Sequence, residues 1–206
     1  MKIPDYEKYG KGKKSKLYPY MPDNTFRMLI CGPSGSRKTN TLLHMLMKPL
    51  VFYDQIFLYA KNLDQNKHNF LISTLNSIAS GVIHTSSSDI IPVEDLPTSG
   101  QKIVIFDDFV TEKNQRPLIN YFIQGRHKNC SVIYLRQSYF STPKDIRLNC
   151  SHLVIFDLHS RRESNIITKE NGLTEKQYKE AVHGEYDFLY IDKSKKKFYK
   201  NFNETI

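Results

Sequence analysis

The residues best suited to chemistry form a glycine-rich segment, Gly32 to Thr39, with the sequence GPSGSRKT. It follows the phosphate-loop pattern GxxxxGK[ST] at every defined position except residue 37, where arginine replaces glycine. In such a loop, successive backbone N–H groups at a helix N-terminus surround the phosphates of a nucleotide. Lys38 would neutralise the β and γ oxygens, and the Thr39 hydroxyl would be a Mg²⁺ ligand. The predicted phosphate-binding residues are Gly32, Pro33, Ser34, Gly35, Ser36, Arg37, Lys38 and Thr39.

Arg37 leaves two interpretations of this loop open. In the first, residue 37 lies near the helix start, where a helical backbone suits any residue, and its side chain points outward. In the second, the guanidinium crowds the phosphate site and leaves a weakened or inactive loop. Three of the four positions that the pattern defines match, directly between a predicted strand and a predicted helix, and this context favours nucleotide binding over a chance turn of glycine and serine.

Two carboxylates, Asp107 and Asp108, follow a run of apolar residues about 70 positions after the loop. This is the form of a Walker B element, in which Asp107 would hold Mg²⁺ and Asp108 would orient or polarise the attacking water. Alone, the pair would be an ordinary acidic turn after a strand. Its pairing with a phosphate loop upstream favours the metal-binding interpretation.

Gln137 ends the next predicted strand and is followed by Ser138. An amide at this position can sense the γ-phosphate or hold the lytic water, as glutamines do in other phosphoryl-transfer sites. Many strands end in glutamine, so this signal is weak by itself.

Short apolar segments alternate with helical patterns along the chain, and such alternation predicts an α/β fold with a mostly parallel sheet flanked by helices. Ligands bind at the carboxyl ends of the strands in such sheets, which is where the candidate residues above fall. The predicted strands are 26–31, 51–60, 102–107, 131–137 and 152–158. The first three predicted helices are 38–47, one that begins at Asp64, and 117–124. Two more helices are predicted from capping boxes, Ser160 with Glu163 and Thr174 with Gln177. Segments 186–192 and 197–202 are predicted to pair as a C-terminal edge hairpin.

The composition is that of one globular domain. The chain has 206 residues, a formal net charge of +9, and 39% hydrophobic residues. Residues 1–17 and 193–206 each carry a net charge of +4, so the body between them is nearly neutral. Basic ends suit a polyanion such as DNA, although solvated tails are an equal alternative from charge alone. No apolar stretch is long enough to span a bilayer, and no secretory signal is present, so we expect an intracellular protein.

The three cysteines, Cys31, Cys130 and Cys150, form no CxxC pair and predict neither a disulfide framework nor a zinc ribbon. His127 and His152 lie near two of them, but the spacings fit no common zinc template. Buried structural thiols are the favoured interpretation.

Together, the loop GPSGSRKT, the FDD element, Gly125-Arg126-His127, Gln137-Ser138, Pro143 and the segment 146–149 resemble the poxvirus-type genome-packaging ATPases of the FtsK/HerA superfamily. Relatives occur in large DNA viruses, virophages and Maverick/Polinton transposons. The resemblance covers roughly residues 24–192. It implies a RecA-type P-loop NTPase core that works as a ring and moves double-stranded DNA into a preformed capsid. It also implies that the Gln137 strand lies between the phosphate-loop strand and the Walker B strand. Asp108 departs from the family pattern, since many superfamily members have glutamate there.

Arg126 can be placed by geometry alone. It precedes the strand that ends in Gln137, so in a parallel sheet it lies roughly 20 Å from its own nucleotide at about 3.3 Å per residue. As an arginine finger it would have to act in trans, in a neighbouring subunit, and otherwise it is a surface arginine on a turn. Arg147, on the nucleotide side of the sheet, is the rival phosphate contact.

Taken with this resemblance, the motifs predict an ATP- and Mg²⁺-dependent DNA translocase with Lys38, Asp108, Gln137 and, in trans, Arg126 as its catalytic residues. The predicted organisation is a basic extension (1–24), an ATPase domain (25–192) and a basic C-terminal segment (193–206). The expected partners are double-stranded DNA, further copies in a ring, and a capsid or portal-vertex protein, in the host cytoplasm, its virus factories or nucleus, or in the virion. The alternatives are a non-hydrolysing P-loop protein blocked by Arg37, acting as a structural or DNA-binding assembly component, and a small-molecule kinase with Arg161 and Arg162 in a lid.

Overall fold

The computed structural model describes residues 20–22, 25–48, 50–51, 53–60, 69–70, 72–74, 76, 83–86, 89–109 and 115–206. Most of the basic extension predicted over 1–24 lies outside these residues. The predicted domain boundaries therefore stay a prediction.

The described residues alternate between strands and helices, as the sequence pattern predicts. The strands are β1 (Arg27–Cys31), β2 (Gln55–Ala60), β3 (Ile83–Ser86), β4 (Lys102–Asp107), β5 (Cys130–Arg136), β6 (His152–Phe156), β7 (Phe188–Asp192), β8 (Lys197–Lys200) and β9 (Glu204–Thr205). The helices are α1 (Lys38–Met47), α2 (Arg116–Gln124), α3 (Lys144–Asn149), α4 (Arg161–Asn171) and α5 (Glu175–Ala181), with short 3-10 turns at Val93–Asp95 and Gly125–Lys128.

All the described strands join one sheet in the order β3-β2-β4-β5-β1-β6-β7-β8-β9. The pairs from β3 to β6 are parallel, and the pairs from β6 to β9 are antiparallel. β5 lies between β1 and β4, which confirms the strand order that the family resemblance implies. The residues that follow these three strands are therefore brought to one end of the sheet.

Helices cover both faces of the sheet, because the central strands are apolar on both sides. All seven residues of β5 are buried, and its apolar residues contribute alternately to two cores. The core on one face takes Leu42, Leu43, Met45 and Leu46 from α1. The core on the other face takes residues of α2, α3, α4 and α5, including Tyr121, Ile146, Ile167 and Tyr178.

Several element boundaries differ from the sequence prediction. The strand predicted over 51–60 begins later, at Gln55, because Asp54 belongs to a turn in which its carboxylate accepts a hydrogen bond from the Gln101 backbone N–H at 2.7 Å. Of the helix predicted from Asp64, residues 69–70, 72–74 and 76 are helical, whereas Asp64, Leu71, Leu75 and Ile78 lie outside the described side chains. The C-terminal hairpin forms from β7 and β8, and the two-residue strand β9 extends it.

The two predicted capping boxes have different outcomes. Thr174 and Gln177 form the full reciprocal box at the start of α5. At the start of α4, the Ser160 hydroxyl accepts a hydrogen bond from the Glu163 backbone N–H at 3.5 Å. The Glu163 carboxylate instead accepts hydrogen bonds from the segment after β5.

Candidate nucleotide site

The phosphate loop connects β1 to α1, as predicted, and its glycines are required for two different reasons. A Cβ at Gly32 would collide with Ser36 Oγ and would lie 2.8 Å from Phe156 Cβ, so the loop has room only for a hydrogen at this position. Gly35 has a φ of +83°, which L residues rarely adopt. The Gly32 N–H donates to the Arg136 carbonyl at 3.0 Å, which ties the loop to the end of β5.

The loop presents cationic and N–H groups to the space that a phosphate would fill. Lys38 Nζ donates to the carbonyls of Gly32 and Pro33 at 2.7 and 2.8 Å, so the ammonium is held over the loop. The N-cap residue of α1, Arg37, makes no capping hydrogen bond with its side chain, and the first turn has no acidic residue that would compete with an anion for the helix dipole. Ser36 Oγ is buried with no hydrogen-bond partner among the described residues. These features fit an oxygen-rich anion such as a triphosphate.

Arg37 has a left-handed backbone, with φ 69° and ψ 23°. The helical backbone that the first of the two interpretations assumed at residue 37 is therefore wrong, and the positive φ explains why the pattern has glycine there. The side chain does point outward, since its guanidinium carbon lies 3.3 Å above the centre of the Tyr186 ring. The guanidinium is thus stacked on the C-terminal part of the chain.

The acidic pair and the glutamine meet at the same end of the sheet. Asp107 is buried and ends β4, in register with Leu135, which is itself in register with Ile30 of β1. Asp108 has a φ of 46°, and its N–H donates to the Leu135 carbonyl at 3.1 Å. Gln137 Nε2 donates to Asp108 Oδ2 at 2.6 Å. The structure therefore places the amide of Gln137 in contact with the second carboxylate, beside the loop.

The segment after Gln137 is held by Glu163, a residue whose role the sequence pattern did not indicate. Its carboxylate accepts hydrogen bonds from Ser138 Oγ at 2.5 Å and from the Phe140 backbone N–H at 2.8 Å. A single carboxylate on α4 thus fixes the position of the chain directly after Gln137. A capping-box pattern gave no sign of this contact, because the partner is 25 residues earlier in the chain.

Arg147 does not act as the rival phosphate contact in this geometry, because all of its nitrogens are used internally. The side chain is buried and donates to both oxygens of Glu170, from Nε at 3.2 Å and from Nη2 at 2.8 Å. Nη1 donates to the carbonyls of Tyr139, Phe140 and Thr142 at 2.9 to 3.2 Å. Arg147 therefore orders the same segment that Glu163 binds.

Arg126 lies at the opposite end of the sheet, as the sequence geometry predicts. We call the end with Gly32, Asp107 and Gln137 the phosphate end, and the end with Arg27, Arg126 and the 193–196 turn the arginine end. Arg126 is exposed in the turn before β5, and the seven residues of β5 separate it from Gln137 by roughly 20 Å. Burial and the nearby Arg126 charge lower the pKa of Arg27.

The basic C-terminal turn belongs to the arginine end as well. β7 is antiparallel to β6 and brings Asp192 beside His152, so the turn 193–196 follows at the start of the parallel strands. Lys195 and Lys196 are exposed there, whereas Lys193 donates to the Arg147 carbonyl at 2.8 Å. The N-terminal lysines predicted to contact DNA lie outside the described residues.

The remaining candidates have structural positions. The three cysteines are buried free thiols, and burial raises the pKa of Cys31 and raises the pKa of Cys130 and Cys150 to about 12. Arg161 and Arg162 open α4, where Arg162 stacks on Phe140 at 3.6 Å. Among the helices that the structure describes, none is both long and apolar enough to cross a bilayer.

Sequence comparison connects this site to a known family. The sequence profile of the family described as poxvirus A32 protein matches residues 16–183. The DNA packaging protein OPG160 of variola virus is 30% identical over 153 residues, covering 69% of this chain and 57% of that protein. The protein of the same name from monkeypox virus is 29% identical, covering 69% of this chain and 51% of that protein. The chain thus spans little more than half the length of these curated relatives.

Solved structures support the fold. The genome-packaging NTPase B204 of Sulfolobus turreted icosahedral virus 2, in complex with ATP-γS, has a TM-score of 0.62 at 13% identity, covering 85% of this chain and 96% of that one. The DNA-packaging ATPase B204 of Sulfolobus turreted icosahedral virus has a TM-score of 0.61 at 15% identity, covering 86% and 97%. At these identities the likeness shows the fold alone, and that fold is the predicted P-loop packaging-ATPase fold.

Proposed function

Because this chain belongs to the poxvirus A32 protein family, we propose that it is an ATP-hydrolysing motor subunit that moves double-stranded DNA into a viral or virus-like capsid. The observation that carries the proposal is the contact of Gln137 with Asp108 at the phosphate end, beside a loop shaped for a triphosphate. The proposal includes a homo-oligomeric ring, a capsid or portal-vertex partner, and a location in the host cytoplasm, its virus factories or nucleus, or in the virion.

The residues at the phosphate end fit ATP and Mg²⁺. The unpartnered hydroxyl of Ser36 and the uncapped N-terminus of α1 suit phosphate oxygens, and the Lys38 ammonium is already over the loop. The Thr39 hydroxyl and the Asp107 carboxylate are the oxygen ligands that Mg²⁺ prefers. When bound, Mg²⁺ supplies charge neutralisation on the phosphate oxygens.

The chain's own groups would then act on the lytic water. Asp108 Oδ2 already accepts a hydrogen bond from Gln137, so the carboxylate and the amide would hold one water between them and the γ-phosphate. Asp108 would accept the proton that this water loses on attack. Glu163 and Arg147 would keep Gln137 in place through the hydrogen bonds that they make to the segment 138–142.

Charge on the transferring phosphoryl group would be stabilised from outside the subunit. Arg126 lies at the arginine end, too far to contact the nucleotide of its own chain. In a ring, the arginine end of one subunit would face the phosphate end of the next, and Arg126 would act in trans. The exposed lysines of the 193–196 turn and the basic N-terminal segment would contact the phosphates of DNA without sequence preference.

The non-hydrolysing alternative depends on a guanidinium inside the phosphate loop. The Arg37 guanidinium stacks on Tyr186 instead, so this geometry does not favour that alternative. The kinase alternative needs the paired arginines in a lid, whereas they begin the helix α4.

The test is phosphate release by the full chain with Mg-ATP, measured with and without linear double-stranded DNA. We expect DNA to increase the rate and Lys38→Ala to reduce it at least about a hundredfold, since a cationic donor to the transferring phosphate is lost. Lys48→Ala is the matched control, because Lys48 is an exposed lysine just past the other end of the same helix. The proposal is contradicted if the rate of phosphate release does not change when DNA is added and is not reduced by Lys38→Ala.

A further inference from the structure

We propose that a cavity beside the phosphate loop binds the nucleoside part of the triphosphate, and that Arg37 and Tyr186 together form one of its walls. This inference rests on the proposed function, because it assumes that the phosphates occupy the loop. It assigns Arg37, the residue that breaks the loop pattern, to recognition of the nucleoside.

The cavity has a volume of about 340 Å³ and lies between α1 and the C-terminal strands. That size is within the range of small-molecule sites. Its α1 side is formed by Arg37, Asn40, Thr41 and His44, which recur at the spacing of one helix face. Lys38 and Thr39 begin the same helix, so a nucleotide with its phosphates in the loop would have its nucleoside next to this face.

The opposite side of the cavity is aromatic. It is formed by Phe156 at the end of β6, Phe188 at the start of β7, and the nearby rings of Tyr186 and Phe202. Phe188 packs against Phe156 and Phe202, with ring centroids 5.3 and 4.8 Å apart. Phe156 and Phe188 are buried, whereas Tyr186 is 37% exposed. Flat apolar surfaces of this kind stack on nucleobases.

Besides the Arg37 guanidinium, the polar side chains that line the cavity include three amides, those of Asn40, Asn201 and Asn203. The Asn201 amide is fixed by hydrogen bonds with the Phe188 N–H and with Asp187, which anchors the hairpin wall. Asn40 and Asn203 are exposed at the rim, where an amide can donate to and accept from the polar edge of a base or a ribose hydroxyl. None of the described residues that line the cavity is acidic, so no lining carboxylate repels a ligand that carries phosphates.

The position of Arg37 follows from its backbone. The left-handed conformation turns the side chain away from the loop and onto the face of Tyr186, 3.3 Å from the ring centre. The guanidinium and the ring thereby cover each other and form one wall of the cavity beside the loop. A glycine at residue 37 would keep the loop but remove this wall.

The experiment separates nucleoside binding from phosphate binding by calorimetry with two probes, Mg-ATP and Mg-tripolyphosphate. For Tyr186→Ala we expect about tenfold weaker binding of Mg-ATP, the loss of one stacking contact, with unchanged binding of Mg-tripolyphosphate. Tyr186→Phe retains the ring and should retain the affinity for both probes. Arg37→Gly should weaken Mg-ATP selectively by a smaller factor.

A second arginine-stacked ring provides a matched control. Phe140 is 43% exposed and stacks on Arg162, but it lies outside this cavity. Phe140→Ala should leave the ratio of the two affinities unchanged. Thermal unfolding of each variant verifies that the fold is intact.

Two results overturn the inference. One is a Tyr186→Ala variant that binds Mg-ATP as the wild type does, and the other is equal weakening of both probes. Failure of the proposed function has a different signature, in which the wild type binds neither probe.

Discussion

The two ends of β5 differ in how their polar side chains are partnered. At the phosphate end, Gln137 bonds to Asp108, and the segment 138–142 is bound by Glu163 and Arg147. At the arginine end, Arg126 is exposed, and no hydrogen bond from its guanidinium is found among the residues that the structure describes. An end whose groups satisfy one another is preorganised for a small ligand. An end with exposed cations suits an anionic group supplied by another molecule.

The largest expected effect tests whether the arginine end acts on another subunit. Arg126→Ala should reduce DNA-stimulated ATP hydrolysis at least about a hundredfold, because an arginine finger contributes more than that in related phosphoryl transfers. The affinity for Mg-ATP should stay within about twofold, since Arg126 is distant from its own loop. The measurements are steady-state phosphate release and calorimetry. His127→Ala, an exposed neighbour in the same turn, is the control.

Mixing two inactive variants makes this prediction sharper. In a mixed ring, Lys38→Ala subunits would supply Arg126 to the intact loops of Arg126→Ala subunits, so part of the activity should return. If the mixture stays inactive although the variants co-assemble, Arg126 does not act in trans.

An intermediate effect concerns the order of the phosphate end. Glu170→Gln would leave the buried guanidinium of Arg147 beside a neutral amide, and we expect a loss of about 2 to 3 kcal/mol in the free energy of unfolding. The control is Glu175→Gln, because Glu175 pairs with Lys179 at the same 2.8 Å but on the surface. That change should leave the free energy of unfolding almost unchanged, because exposed ion pairs contribute little to stability. Urea denaturation measures both, and equal costs would contradict the role given to Arg147.

The smallest effect concerns the hairpin at the phosphate end. A hydrogen bond from Lys200 Nζ at 2.8 Å lowers the pKa of Asp187 below its ordinary value of 3.8. A lowered folded-state pKa stabilises the protein above pH 3.8, and this contribution is lost as the pH falls through the lowered value. We expect the loss to be under about 1 kcal/mol, because the pair is near the surface. Urea denaturation at pH 6 and pH 3 should show a smaller pH difference for Lys200→Met than for the wild type.

Much of the fold could be predicted because the sequence encodes it locally. Buried parallel strands are short apolar runs, and turns and caps mark their ends, so β1, β4, β5 and β6 were predicted within a few residues. The boundary of β2 was missed because Asp54 bonds to Gln101, 47 residues later. Periodicity contains no information about such a contact.

The candidate site was predictable for the residues that directly follow a strand. Asp108 and Gln137 follow neighbouring strands, and topology alone brings them together. The left-handed backbone of Arg37 and the roles of Glu163, Glu170 and Arg147 depend on tertiary contacts between distant segments. From the sequence, Glu163 was predicted to complete a helix cap and Arg147 to contact a phosphate. Both predictions considered only residues that are close in sequence.

β5 has a mechanical consequence. Its seven residues are all buried, and it is hydrogen-bonded to a strand on each side. Close-packed interiors have low compressibility and transmit strain, so β5 is a stiff element. A displacement of Gln137 that accompanies a change at the γ-phosphate would be transmitted along β5 to the turn that contains Arg126. In the proposed ring, the nucleotide state of one subunit would thereby set the position of the Arg126 that it offers to its neighbour.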